Sequence, residues 1–307
     1  MYDLASLTKP LATTLAVMHL IQESRLSLDQ PAVSVLPRFL DPLMSRVTIR
    51  HLLAHSSGLA DYHPYYLNLR QVPLTERREQ LETMLTQERL SCVPGRQVLY
   101  SDMGFMILRW IIETISGQRL DQLLSEFLYH PLGLEHLYFI DLEQHAYIGN
   151  IAATELCVWR NSLIKGRVHD DNAFIMGGID GHAGLFGSAA DVARLISVLL
   201  SDSRGQSEQS FFNSNLIQVF WSRQTPSGRA LGFDMPSADG ASCGHFFPKT
   251  SVGHLGYTGT SFWIDPEQSI FIVLLTNRVH PSRYNVGIRR FRPQIHNEIM
   301  INMSLSV

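Results

Sequence analysis

Ser6 and Lys9 stand three residues apart near the start of the chain, within Tyr2-Asp3-Leu4-Ala5-Ser6-Leu7-Thr8-Lys9-Pro10. That spacing places both side chains on one face of a helix, about one turn apart. A serine hydroxyl is a weak nucleophile until a base takes its proton. A lysine can be that base, or can position it, when burial or a neighbouring cation depresses its pKa. The apolar run over residues 11–21 would dock such a helix into a core and desolvate Lys9. A Ser-x-x-Lys pair also recurs by chance at ordinary helix starts, so other residues must decide between the two readings.

Two further stretches bear on that decision. Tyr100-Ser101-Asp102 lies just before a predicted apolar helix over 103–116, with Gly117 at its C-cap position. Alone, Asp102 reads as an N-cap and Tyr100 as a half-buried core residue. His254-Leu255-Gly256 falls in a strand-like segment over 251–265. A second strand over 269–277 is apolar on both faces and predicts cover on both, and residues 265–268 make the turn between the two. A short strand is predicted over 230–233.

The elements that must position these residues are mostly helical. The pattern predicts helices over 6–24, a short one ending near residue 36, 48–55 with Thr48 as N-cap, 75–90, 120–129, 188–200 and 284–301. Helices come first and an antiparallel hairpin last, which predicts an α/β (α+β) fold with an antiparallel sheet flanked by helices. Residues 1–307 read as a single domain.

Several other clusters read as structural. His51 and His55 are four apart, but Leu52 stands where a zinc-binding H-E-x-x-H motif needs glutamate, so packed or hydrogen-bonded histidines are expected. His169-Asp170-Asp171-Asn172 reads as a hydrogen-bonding loop. The glycine-dense stretch 177–188 matches neither nucleotide-binding pattern. Residues 61–72, with Tyr62, Tyr65 and Tyr66, read either as a covering loop or as a wall of a substrate cleft. The 307 residues are 45% hydrophobic and 17% charged, with a formal net charge of -3, which fits a globular chain and argues against a nucleic-acid partner. The three cysteines are far apart, so neither a disulfide framework nor a zinc ribbon is expected. No apolar run reaches the roughly 18 residues of a membrane span. No signal-peptide pattern is present, and localisation is not read from this terminus.

Taken together, Ser6-x-x-Lys9, Tyr100-Ser101-Asp102 and His254-Leu255-Gly256 resemble the serine β-lactamase and penicillin-binding-protein superfamily, in its class-C-like, esterase and D-peptidase branch. In that branch the second motif is Y-x-N or Y-S-D and the third K-T-G or H-x-G. Flanking segments extend the resemblance in order from residue 2 to about 280. They include Thr48-Ile49-Arg50-His51-Leu52-Leu53-Ala54-His55-Ser56-Ser57-Gly58-Leu59, Gly181-His182-Ala183-Gly184-Leu185-Phe186 and Gly256-Tyr257-Thr258-Gly259-Thr260.

The resemblance implies a serine hydrolase acting through an acyl-enzyme on small esters, D-amino-acid peptides or amides, or β-lactams. Ser6 would be the nucleophile. Its base would be either Lys9, held near neutral by burial, or a Tyr100 phenolate stabilised by Lys9; the two form one titrating unit. Backbone N–H groups of Ser6 and Tyr257 would hold the oxyanion. Asp102 would bond Lys9 or the substrate, and as a carboxylate would favour a charged Lys9. His254 and Gly256 would contact substrate, with His254 removing the cation that a lysine would offer a substrate carboxylate. No metal or organic cofactor is implied, and the partner is a small-molecule or peptide substrate. One departure is that relatives carry an N-terminal helix and two strands before Ser-x-x-Lys. Their absence predicts a truncated chain with an open sheet edge. The alternative reading is a non-catalytic truncated homologue that binds peptidoglycan-like ligands.

Overall fold

The computed structural model of the chain describes residues 1–143, 149–207, 210–238 and 240–304. The N-terminal run is one continuous helical rod built of three pieces. A 3-10 turn, Ala5–Leu7, leads through a π turn, Lys9–Thr13, into α1, Thr14–Gln22. Pro10 sits in the first positions of the π turn, where its missing N–H costs nothing. Lys9 to Val17 are all buried, so the rod is an axle through the core rather than a surface helix.

Short helices follow. The segment expected to be helical before Leu36 forms only a 3-10 turn, Ala32–Ser34. α2, Ile49–Leu53, is capped as expected: Thr48 Oγ1 accepts from the His51 N–H, and His51 Nδ1 accepts from the Thr48 N–H. α3, Tyr66–Leu69, adds one turn to the aromatic stretch, and α4 is Arg77–Thr86. α5, Asp102–Ser116, is the long apolar helix, with Gly117 at its C-cap. Its N-cap is Ser101, whose Oγ accepts from the Gly104 N–H. That leaves Asp102 in the first turn with its carboxylate free for another partner. α6, Leu120–Leu124, continues into a π turn, Ser125–Tyr129. α7 is Asp171–Ile175, α8 is Ala189–Ser203 with Ser188 as N-cap, α9 is Ser214–Trp221 and α10 is Ile288–Ser304.

Among the described residues the strands form three antiparallel sheets. β1, Tyr2–Asp3, and β2, Leu137–Phe139, flank β5, Leu185–Gly187. β3, Leu156–Cys157, pairs with β4, Ser162–Leu163. β6, Val252–Leu255, β7, Ser261–Asp265, and β8, Ile270–Leu274, form the sheet β6-β7-β8. β7 is fully buried because both faces are covered. Phe262 and Ile264 join the main core with α8 and α9, while Trp263 packs with Met300 of α10. β8, expected to be covered on both faces, lies at the sheet edge and is only half-buried. Residues 230–233 do not form the expected strand; one bridge, Asp234 to Gly253, joins this segment to β6.

This sheet has three strands among the described residues. The fold is otherwise the predicted one of helices packed on an antiparallel sheet. Among the described residues no helix is long and apolar enough to cross a membrane.

Threonines stitch the sheet to the N-terminal rod. Thr258 Oγ1 donates to the Asp3 carbonyl at 2.7 Å and Thr260 Oγ1 to the Leu4 carbonyl at 3.1 Å. Arg292, buried on α10, donates to the Gly256 and Thr260 carbonyls at 2.9 and 2.7 Å and pins the β6–β7 turn.

Candidate active site

The backbone ahead of Ser6 is forced into shape. Ala5 has φ of +48°, a conformation non-glycine residues avoid, and its N–H donates to Asp3 Oδ1 at 2.8 Å. Asp3 Oδ2 accepts from the His169 N–H at 2.6 Å, so one buried carboxylate ties the serine turn to the 169 loop. Burial pushes the Asp3 carboxyl up to about 6, against the pull of these two N–H groups. Gly256 is needed for close approach. A Cβ there would lie 2.0 Å from Thr260 Oγ1 and 2.6 Å from the Leu4 carbonyl.

Lys9 is fully buried and donates three ways: to Ser6 Oγ at 3.1 Å, to Asp102 Oδ1 at 2.7 Å and to the His182 carbonyl at 3.0 Å. The last contact needs the glycine at 181, where a Cβ would meet the Phe105 carbonyl at 2.2 Å. Of the two alternatives for the base, the contacts of Lys9 weigh against the near-neutral lysine. Burial does press its pKa down, but the Asp102 carboxylate and Tyr100 outweigh it, and the net shift is upward. Lys9 is therefore an ammonium that donates to Ser6.

Tyr100 is held from several sides. The His55 ring stacks on it at 4.3 Å between centroids, and His55 Nδ1 accepts from the Ser101 N–H at 2.9 Å. The Lys9 ammonium lies 5.0 Å from the Tyr100 ring centre and the Arg229 guanidinium 5.4 Å. His254 is 6.0 Å away on β6. Burial and Arg229 hold the pKa of both His55 and His254 well below the ordinary histidine value, so both are neutral.

A cleft of about 410 Å³ opens over this group, lined by Ser6, Tyr62, Tyr100, Asp102, Asp170 and Tyr257 among others. Of the predicted site residues, Ser6, Tyr100, Asp102 and Tyr257 meet at this cleft, with Lys9 buried beneath them. Two expected substrate contacts fall elsewhere. His254 is 2% exposed and does not line the cleft; its Nδ1–H donates to the Leu255 carbonyl at 2.9 Å. Gly256 acts through backbone packing. Tyr62 and Tyr257 give the aromatic wall, and the Tyr257 ring packs against His169 and Arg278. Among the described residues the Tyr257 N–H makes no hydrogen bond, and the Ser6 N–H lies in a first helical turn, where N–H groups lack intrahelical acceptors.

The sequence reading missed a buried line of alternating charge beside the cleft. His182 Nε2 lies 2.8 Å from Asp170 Oδ1, and its Nδ1 is 3.8 Å from Asp180 Oδ1. Arg109 Nε donates to Asp180 Oδ1 at 3.1 Å and its Nη1 to Glu113 Oε2 at 2.6 Å; Arg78 closes the line on Glu113. Burial alone would strip the His182 proton, yet the two carboxylates push its pKa up to about 10. The expected hydrogen-bonding loop at 169–172 is the outer end of this line. Neither His182, Asp180 nor Arg109 carries a local spacing that would single it out.

This arrangement has counterparts in known proteins. A relative described as "Putative D-alanyl-D-alanine carboxypeptidase" from Escherichia coli (strain K12) is 34% identical over 304 residues, covering 91% of this chain and 69% of its own length. The penicillin-binding protein homologue from Pyrococcus abyssi, described as octameric, superposes with a TM-score of 0.73 at 23% identity, over 99% of this chain and 66% of that one. EstCE1, described as a hydrolase with promiscuous acyltransferase activity, superposes with a TM-score of 0.69 at 23% identity, over 95% and 84%. These two structures share the fold. The Beta-lactamase family model matches residues 1–296, spanning every residue of the cleft, and with the sequence match it shows that the chain belongs to the beta-lactamase family of serine hydrolases.

Proposed function

We propose that the chain hydrolyses small esters, D-amino-acid peptides or amides, or β-lactams through an acyl-enzyme on Ser6. The observation that carries this reading is the Lys9 ammonium, bound at once to Ser6 Oγ at 3.1 Å and Asp102 Oδ1 at 2.7 Å beneath an open cleft. Ser6 Oγ attacks the substrate carbonyl. A protonated Lys9 cannot take the serine proton, which favours Tyr100, with two cations over its ring, as the base. The new alkoxide is held by the N–H groups of Ser6 and Tyr257. Tyr100 then returns the proton to the leaving group; the same oxygen next takes a proton from water, whose attack breaks the acyl–serine bond, and gives that proton to the departing Ser6 Oγ. Similarity to the Escherichia coli relative supports D-amino-acid peptides as one substrate class.

Incubation with a fluorophosphonate or a fluorescent penicillin, followed by peptide mass spectrometry, tests the reading. One adduct on Ser6, absent in Ser6→Ala, is expected. Folded protein that takes no adduct on Ser6 overturns it.

A further inference from the structure

Around the Tyr100 ring lie Lys9 from the N-terminal rod, Asp102 from α5, His55 from the end of α2, His254 on β6, and Arg229 with its neighbour Asp234. The third sequence motif carries histidine at 254 where relatives can carry lysine, and that histidine is neutral. His55 is neutral as well. Among the described residues two cations therefore remain at the ring, and they differ in how far their charge is cancelled. Lys9 has a carboxylate oxygen at 2.7 Å. Arg229 has its carboxylate farther off, with Asp234 Oδ1 3.3 Å from Nη1, and its buried Nε has no hydrogen-bond partner among the described residues. Asp234 is itself anchored, because its backbone exchanges two hydrogen bonds with Gly253 at 2.7 and 3.0 Å. Arg229 thus stands on a segment braced against β6, beside the strand that carries residue 254.

We infer that Arg229 is a positioning residue for the reaction: from outside the three motifs it supplies the cation that stabilises negative charge on the Tyr100 oxygen, the part that His254 does not play. The inference rests on the acyl-enzyme reading above.

The test is the pH dependence of kcat/KM for p-nitrophenyl acetate between pH 5 and 9, with fluorophosphonate labelling of Ser6 run on the same samples. Removing the cation by Arg229→Gln is expected to move the acidic limb up by about one pH unit or more. On that limb this is a tenfold or larger loss of rate at fixed pH, carried by kcat rather than KM. Arg229→Lys keeps the limb near the wild-type position. Asp234→Asn, which uncovers the guanidinium, moves it the opposite way. A merely structural role for Arg229 would lower activity without moving the limb and would not give opposite signs for the two substitutions. If Arg229→Gln does not fold, the Lys and Asp234→Asn variants decide. Wild-type protein that labels on Ser6, with a limb that neither Arg229→Gln nor Asp234→Asn moves, overturns the role of Arg229 alone. Wild-type protein that neither labels nor hydrolyses the ester overturns both readings.

Discussion

Asp102→Asn is the most informative single change, because it removes the charge that keeps Lys9 protonated. The pair is 2.7 Å apart, with the lysine fully buried and the carboxylate side chain 20% exposed. An asparagine carbonyl still accepts from Nζ but brings no charge. Breaking a buried pair from one side costs about 3–5 kcal/mol. The loss has a ceiling, because Lys9 can shed its proton instead. Doing so at pH 7 from an ordinary value of 10.5 costs about 5 kcal/mol, so the two routes agree in size. The pH dependence separates this from a plain packing defect. In the wild type the Lys9 pKa is raised by folding, so its contribution is fully present below the unfolded value of 10.5 and is lost as pH rises through the folded value. In the variant the folded pKa lies below the unfolded one, so stability recovers as pH rises toward 10.5. Urea unfolding of both proteins at pH 7, 8, 9 and 10 measures the difference. The gap should be widest at pH 7 and narrow with each step. A gap that stays constant with pH, or a variant as stable as the wild type at pH 7, refutes the assignment of Lys9 as a buried ammonium held by Asp102.

Two further outcomes follow from the same contacts. His182, pushed up to about 10 by Asp170 and Asp180, should show no imidazole titration by NMR between pH 5 and 8, and a midpoint below 8 would contradict its place between two carboxylates. Gly256→Ala must move either Thr260 or the backbone at Leu4, so it should cost about 1–3 kcal/mol in thermal or urea unfolding and slow fluorophosphonate labelling of Ser6 at least tenfold; full labelling speed would show that the approach of residue 256 to Leu4 does not shape the serine turn.

The chemistry of the cleft was legible where it depends on short spacing. Ser6 and Lys9 meet because a helical turn brings them together, and Tyr100 and Asp102 could be placed at a helix start. The Ser101 cap could not be told from an Asp102 cap, since both residues cap well and only the pull of Lys9 across 93 positions separates them. The charge on Lys9 stayed open for the same reason: burial is readable from an apolar run, but the carboxylate that outweighs it comes from another helix. His55 is packed and hydrogen-bonded as expected, but its partner Tyr100, like the partners of Arg229 and His182, was out of reach because it is far away in sequence. The strands were legible where an apolar run meets a clear turn, as at β7 and β8 around residues 265–268, and failed at 230–233, where a single bridge replaces a ladder.

The line from Asp170 through His182, Asp180, Arg109 and Glu113 to Arg78 also bears on how the chain reaches this state. Each inner member is tolerable out of water only when both neighbours are already in place, since an uncompensated buried charge costs several kcal/mol. α5, the loop before α7 and the glycine-dense stretch at 177–188 therefore cannot dock one at a time at low cost. Partly assembled forms are penalised at every intermediate step, and the wall of the cleft is gained or lost as a unit. The cleft beside Ser6 thus inherits its cooperativity from a salt-bridged spine whose outer members, Asp170 and His182, line it.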